Sequence, residues 1–194
     1  MAINYPLTLP TVTGVRSIEL QASNAVAISR SPFTFASQVH AYSGQMWSAS
    51  LTLPPMKLTA ARQWTAWLTS LRGQYGSFLL GDTSCCQISG TATSASVTGV
   101  AGDNTVTVTS NGTILAGDMI QIGSASDATL HKVLADQSGN GSLEIWPALR
   151  KVRTAVSLTL TNAKGAFRLA SNEVSWSVDE ANIYGVSFSA VEKI

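Results

Sequence analysis

Ionised side chains are scarce in this chain. Asp, Glu, Lys and Arg make up 12% of its 194 residues, about half the roughly 25% of an ordinary globular domain. Ser and Thr fill the gap, at 45 residues. A free monomer keeps surface charge for solubility. A charge-poor, hydroxyl-rich exterior suits a subunit covered by neighbours, since interface cores are depleted in charge. Ser/Thr-rich β proteins share this composition, so it does not decide alone. The net charge is +1, and the densest basic patch is Arg150, Lys151 and Arg153. That patch is too small for non-specific nucleic-acid binding, which needs many phosphate contacts.

Cysteine is equally sparse. Cys85 and Cys86 are the only two, and adjacent cysteines make strained disulfides. No second pair or nearby histidines complete a metal set, so two reduced thiols are expected. No apolar run reaches membrane-spanning length. The first ten residues, MAINYPLTLP, lack the basic start and apolar block of a secretory signal. Synthesis and folding in a cytoplasm are therefore expected. Phosphate-binding glycine motifs are missing too. The run Gly73-Gln-Tyr-Gly76 reads as a helix stop and a turn.

Catalytic constellations are thin. His40 and His131 are the only histidines, and no Gly-x-Ser-x-Gly elbow presents a serine. Both read as surface or interface residues, His40 on the polar face of its strand. Asp179-Glu180, Asp103, Asp118, Asp127 and Asp136 could form paired carboxylates. Most stand beside Gly, Asn or Ser, where turn chemistry accounts for them. No catalytic, cofactor-binding or metal-binding residue is assigned. Trp47, Trp64 and Trp67 could stack on a sugar or a partner, but their spacing favours contact between a hairpin and a helix. Trp146 and Trp176 read as core elsewhere.

What is present is β patterning. Residues 1–15 read as an extended arm, able to pack on a neighbouring subunit or to fray. Ile18 and Leu20 mark a short strand. Val26 and Ile28 mark a second, after a Ser23-Asn24 turn. Phe33, Phe35, Ser37, Val39 and Ala41 alternate with polar or small residues, as do Trp47, Ala49, Leu51 and Leu53. That period of two predicts a hairpin turning at Tyr42-Ser43-Gly44. Pro54-Pro55 stops it. A helix is predicted over residues 60–71, with Thr59 as N-cap, an apolar stripe of Ala60, Trp64, Trp67, Leu68 and Leu71, and Gly73 just past its end.

Residues 87–150 turn rich in Gly, Ser, Thr and Asp, with short strands at the spacing of a small barrel or sandwich. Longer alternation resumes at Val156, Leu158 and Leu160 and continues to Ala190. The fold expected is mainly β. Residues 1–86 and 151–194 form a discontinuous β-sandwich with one helix, and residues 87–150 form an inserted β module.

Several of these segments resemble one family. They are SPFT (residues 31–34), LTLPPM (51–56), the Trp64-x-x-Trp67-Leu68 core and the G-x-x-G-x-F-L-L-G-D run (73–82). The stretches 114–123, 130–133 and 184–192 share the likeness. Together they resemble the distal tail, or tail-tip hub, proteins of long-tailed bacteriophages and prophages. The resemblance implies a structural virion protein, not an enzyme, without cofactors. It implies a homo-oligomeric ring, hexameric in that family, between tail tube protein and hub or tip proteins. DNA would pass through its channel without specific binding, and no membrane is involved. A carbohydrate-binding or host-adhesion module, with Trp146 as a contact, is the alternative. A cell-wall hydrolase using His40 and His131 is a third reading.

Overall fold

The computed structural model describes residues 3–82 and 87–194. Cys85 and Cys86 lie outside them. The first part of the chain contributes strands β1 (Ser17–Arg30), β2 (Ser37–Thr52) and β3 (Met56–Lys57), helix α1 (Leu58–Ser70) and strand β4 (Phe78–Leu80). Then come the short strands β5 (Ala95–Gly99), β6 (Thr105–Ser110), β7 (Thr113–Ile114), β8 (Met119–Ile122), β9 (Thr129–Val133), β10 (Gln137–Ser138), β11 (Gly141–Trp146) and β12 (Arg153–Thr159). The chain closes with β13 (Gly165–Leu169), β14 (Trp176–Val178) and β15 (Ile183–Glu192).

Two β units result. The scaffold is a seven-stranded sheet in the order β1-β2-β15-β13-β4, with β3 and β14 also paired to β15. Its core face carries Trp47, Ala49 and Leu51 from β2 and Ala190 from β15, packed against Trp64, Leu68 and Leu71 of the helical segment. The second unit is a closed six-stranded barrel, β11-β6-β5-β12-β8-β9. Its interior is filled by β-branched and leucine side chains such as Val97, Val108, Ile120, Ile122 and Leu143, all fully buried. Closure removes every free edge of that sheet, which such short strands could not otherwise protect. The expected class, mainly β with one helix and an inserted small β module, is the one observed.

Four expectations are corrected in detail. First, the strand of Val156 and Leu158 belongs to the barrel. β12 pairs with β5 and β8, and Gln87 bridges Thr161. The inserted unit therefore ends near residue 161, not 150. A strand needed to close a barrel has the same alternation as a scaffold strand, so periodicity could not separate them. At the neck Gly81 lies against the Ala163 carbonyl, where a Cβ would collide with backbone.

Second, the helix begins at Leu58, directly after β3. Lys57 is the capping position and gives no side-chain cap, so Thr59 sits inside the first turn. Third, the arm packs on its own subunit. Tyr5 donates its hydroxyl to Ser70 O at 2.6 Å. The indoles of Trp67 and Trp64 donate to Thr8 O and Thr13 Oγ1 at 2.8 and 2.9 Å. Leu7 bridges Phe78 and covers the outer edge of β4. Fourth, β1 and β2 form one continuous hairpin whose turn is at residues 31–36, not 42–44.

Barrel and scaffold share a seam. Leu130 and Met119 of the barrel sit in the scaffold core. Trp47 donates its indole N–H to Leu130 O at 2.9 Å and meets Trp146 edge-to-face at 4.5 Å. Arg150 forms a two-pronged ion pair with Glu192, at 3.1 Å through Nε and 2.7 Å through Nη2. Arg150 also donates to Gln45 O at 2.6 Å. The other two members of the basic patch, Lys151 and Arg153, both reach Asp127. Their hydrogen bonds, Arg153 first, hold that carboxyl below its ordinary pKa. The patch is thus occupied internally.

His131 corrects a fifth expectation, because it is fully buried. Its Nδ1 donates to Pro147 O and its Nε2 accepts from the Thr129 hydroxyl, both at 2.8 Å. Burial pushes its pKa down to about 4, reinforced by the nearby Arg150 and Arg153 charges and opposed by the Pro147 hydrogen bond. The unfolded chain takes up this proton near pH 6.5, the folded chain only near 4. The stability that neutral His131 contributes is complete above pH 6.5 and is lost as pH falls towards 4. Urea unfolding at pH 7.5 and pH 5 should differ by roughly 2 kcal/mol from this group. His131→Gln should flatten the slope in that window; an unchanged slope would assign the acid sensitivity elsewhere.

Candidate assembly interface

The long hairpin leaves the body of the protein. β2 pairs with β15 only over Ser48–Val191 to Thr52–Ser187. Beyond Gln45 the two strands have no partner but each other among the described residues, and residues 21–44 are exposed apart from a half-buried Ser31. The strand register shifts between Asn24 and Val26, which marks where the projecting ribbon begins. Its root is held by the barrel: Trp146 Nε1 donates to Asn24 Oδ1 at 2.7 Å, and Ala148 N donates to Gln45 Oε1 at 2.6 Å.

The ribbon is two-faced. Directly paired residues share a side of a sheet, so the pairs Val26–Ala41 and Ile28–Val39 form one apolar face. His40 and Tyr42 meet edge-to-face at 4.6 Å on the other, with Ala27 opposite His40 and Ser29 opposite Gln38. The apolar face continues the parity of the Ala22–Trp47 pair, of which Trp47 is buried in the subunit's core. It therefore extends the core side of the sheet into space where the described residues place nothing. Ile28 is 69% exposed.

The tip is ordered by local bonds. Ser31 Oγ accepts from Phe33 N and Thr34 N, and Ser31 N donates to Ala36 O at 2.9 Å. Phe35 takes a positive φ of 56°, a conformation costly for a bulky residue. The effect is to present Phe33, 92% exposed, and Phe35, whose ring lies 5.7 Å from the Arg30 guanidinium. Exposed aromatics beside an arginine on a preorganised loop are the residue types that anchor protein interfaces.

The remaining candidates do not converge. His40 stands on the ribbon and His131 inside the barrel, so no serine–histidine–acid arrangement joins them. Asp118, Asp103 and Asp179 accept the N–H groups of Leu115, Val100 and Ile183 in local turns, while Asp118 also accepts the distant Ser89 N and Asp136 the distant Ala116 N. Glu180 is exposed beside Asp179. Among the described residues no group of three His, Cys, Asp or Glu side chains could hold a metal ion, and no helix is long and apolar enough to cross a membrane.

A groove of about 440 Å³ runs over the outer side of β2 and β15, walled by Ser50, Ser175, Ser187 and Ser189. Glu173 is the one ionisable side chain among its described lining residues. Trp64 and Trp67 of the helix meet each other and pack with Phe78 of β4 and Phe188 of β15, in place of the expected ring contact with Trp47 of the hairpin. Trp47 instead faces Trp146, and Trp176, expected in the core, is 45% exposed.

Sequence reasoning missed the ribbon as a unit. The signal available was that its apolar alternation runs on both strands with no second apolar layer to receive it. Comparison with protein-family models and with curated proteins finds no match.

Proposed function

We propose that this chain is a structural ring subunit at the distal end of a long phage tail, joining tube to tip and enclosing a channel for DNA. The observation that carries the reading is the apolar face of the β1–β2 ribbon, an extension of the subunit's own core side left for another chain to cover. Surface area supports it. The chain exposes 10821 Å² at 20.3 kDa, against about 8,800 Å² for a compact monomer of that mass. The excess of about 2,000 Å² is enough for two interfaces of standard size, which at about 800 Å² per partner would cover about 1,600 Å² of each subunit. A ring gives each subunit two unlike interfaces. The scarcity of charge and the resemblance of residues 31–82 to distal tail proteins point the same way.

The adhesion alternative has less behind it. Trp146, its expected contact, spends its indole N–H on Asn24 and its ring on Trp47. Negative-stain imaging of the purified full chain, alone and mixed with tube and hub proteins, tests the assignment. Annular particles with a central hole are expected. Particles that remain single subunits in every mixture would overturn it.

A further inference from the structure

Resting on the ring reading, we infer that the ribbon of one copy docks on β14 and the β14–β15 turn of the next. The argument starts from free edges. β1 pairs only with β2, at one side of the scaffold sheet. On the other side of β15, β14 pairs only with β15, whereas the outer edge of β4 is taken by Leu7. Among the described residues the sheet thus has unlike unpaired edges at β1 and β14, besides the two-residue β3, and unlike edges are what head-to-tail addition requires.

Both ends also overhang on the same face. Trp176 and Val178 lie opposite Val186 and Tyr184, which pack into the scaffold core. They are exposed at 45% and 49%, so the core side of the sheet runs past the body here as it does at Val26 and Ile28. Copies added edge to edge would bring one overhang against the other.

Charge supplies the third argument. From Leu20 to Met56 the sole ionised side chain is Arg30, at the ribbon tip. From Ala170 to Val191 the charged residues are Glu173, Asp179 and Glu180, with no Lys or Arg. Lys57, opposite Ile183 on β3, and Arg16, which lines the same cleft as Trp176 and Ser177, offset two of those three charges. The ribbon therefore brings one cation and exposed aromatics to a surface with an exposed tryptophan and net negative charge. Opposite potentials of this kind steer association and fix register.

Charge reversal in the full chain, read by sedimentation velocity, tests the docking. Arg30→Glu and the pair Glu173→Arg/Glu180→Arg should each weaken self-association about tenfold, and the combined chain should recover to within about threefold of the original. Asp179 is left unchanged because it holds the turn through Ile183 N. A photo-crosslinking phenylalanine analogue at position 33 should attach to residues 173–183 of another copy.

Reversals without effect, a combined chain no better than its parents, or crosslinks mapping outside residues 173–183 would overturn the docking while leaving the ring intact. An unaltered chain that never self-associates would remove the ring and the docking together.

Discussion

Glu192→Ala is expected to destabilise the folded subunit by about 3 kcal/mol, because it strands a charge inside the seam between barrel and scaffold. The Glu192 side chain is 1% exposed and its partner Arg150 15%. The carboxylate accepts from both Arg150 nitrogens and from Trp47 N at 3.1 Å. Removing it leaves a guanidinium and a backbone N–H without their acceptor, in a site that water reaches poorly. Each loss costs more than the intact pair contributes, since ion and hydrogen-bond donors had already been desolvated on folding.

The same logic predicts that Arg150→Met with Glu192→Met recovers much of the loss, as neither charge is then buried. Gln45 O would still lose one donor and Trp47 N its acceptor. For a chain of this length the single change should lower Tm by roughly 6–12 °C. A double-mutant cycle by urea unfolding separates the coupling from the individual costs. If Glu192→Ala cost less than about 1 kcal/mol, the seam would not depend on this pair.

The seam matters to assembly because it fixes the ribbon's root. Arg150 binds Gln45 O, Ala148 binds Gln45 Oε1 and Trp146 binds Asn24. These residues follow one another at the end of β11 and just beyond it. A loosened seam would leave the ribbon attached but poorly aimed.

Most of the scaffold was legible in the chain. The Trp64, Leu68 and Leu71 stripe, the Gly73 stop and the alternation of Trp47 to Leu53 each correspond to a single local rule, and each is where the rule puts it. What was not legible depended on distant partners. Ser23-Asn24 has the composition of a turn, yet β1 runs through it because β2 pairs along its length with one irregularity. Tyr42-Ser43-Gly44 has the same composition and is absorbed at that irregularity. His131, beside Lys132 in a five-residue strand, carries no local sign of burial. Its environment is made by Thr129 and by Pro147, sixteen positions on. Trp176 erred in the opposite sense, since a tryptophan on an alternating strand reads as core unless the partner layer stops short. The ribbon is the same error on a larger scale. Alternation reports that one face must be covered, but not by which molecule.

That distinction gives the prediction with the largest expected effect. Replacing residues 25–44 by an Asn-Gly turn joins Asn24 directly to Gln45, its cross-strand partner, with a loop suited to a two-residue hairpin. The excised residues include no buried side chain, and the contacts of Asn24 and Gln45 with the barrel are kept. Folding should therefore survive, with Tm within about 3 °C of the parent, since no core burial or seam bond is lost. Self-association should fall by at least a hundredfold, because the excised segment holds the apolar face, both tip phenylalanines and Arg30, and a few central residues dominate an interface. Thermal unfolding and sedimentation of the same preparation separate the two quantities. A shortened chain that folds and still forms rings would show that the exposed face serves something other than the neighbouring subunit. One that fails to fold would show that the ribbon supports its own body, which no contact of residues 25–44 with the core suggests.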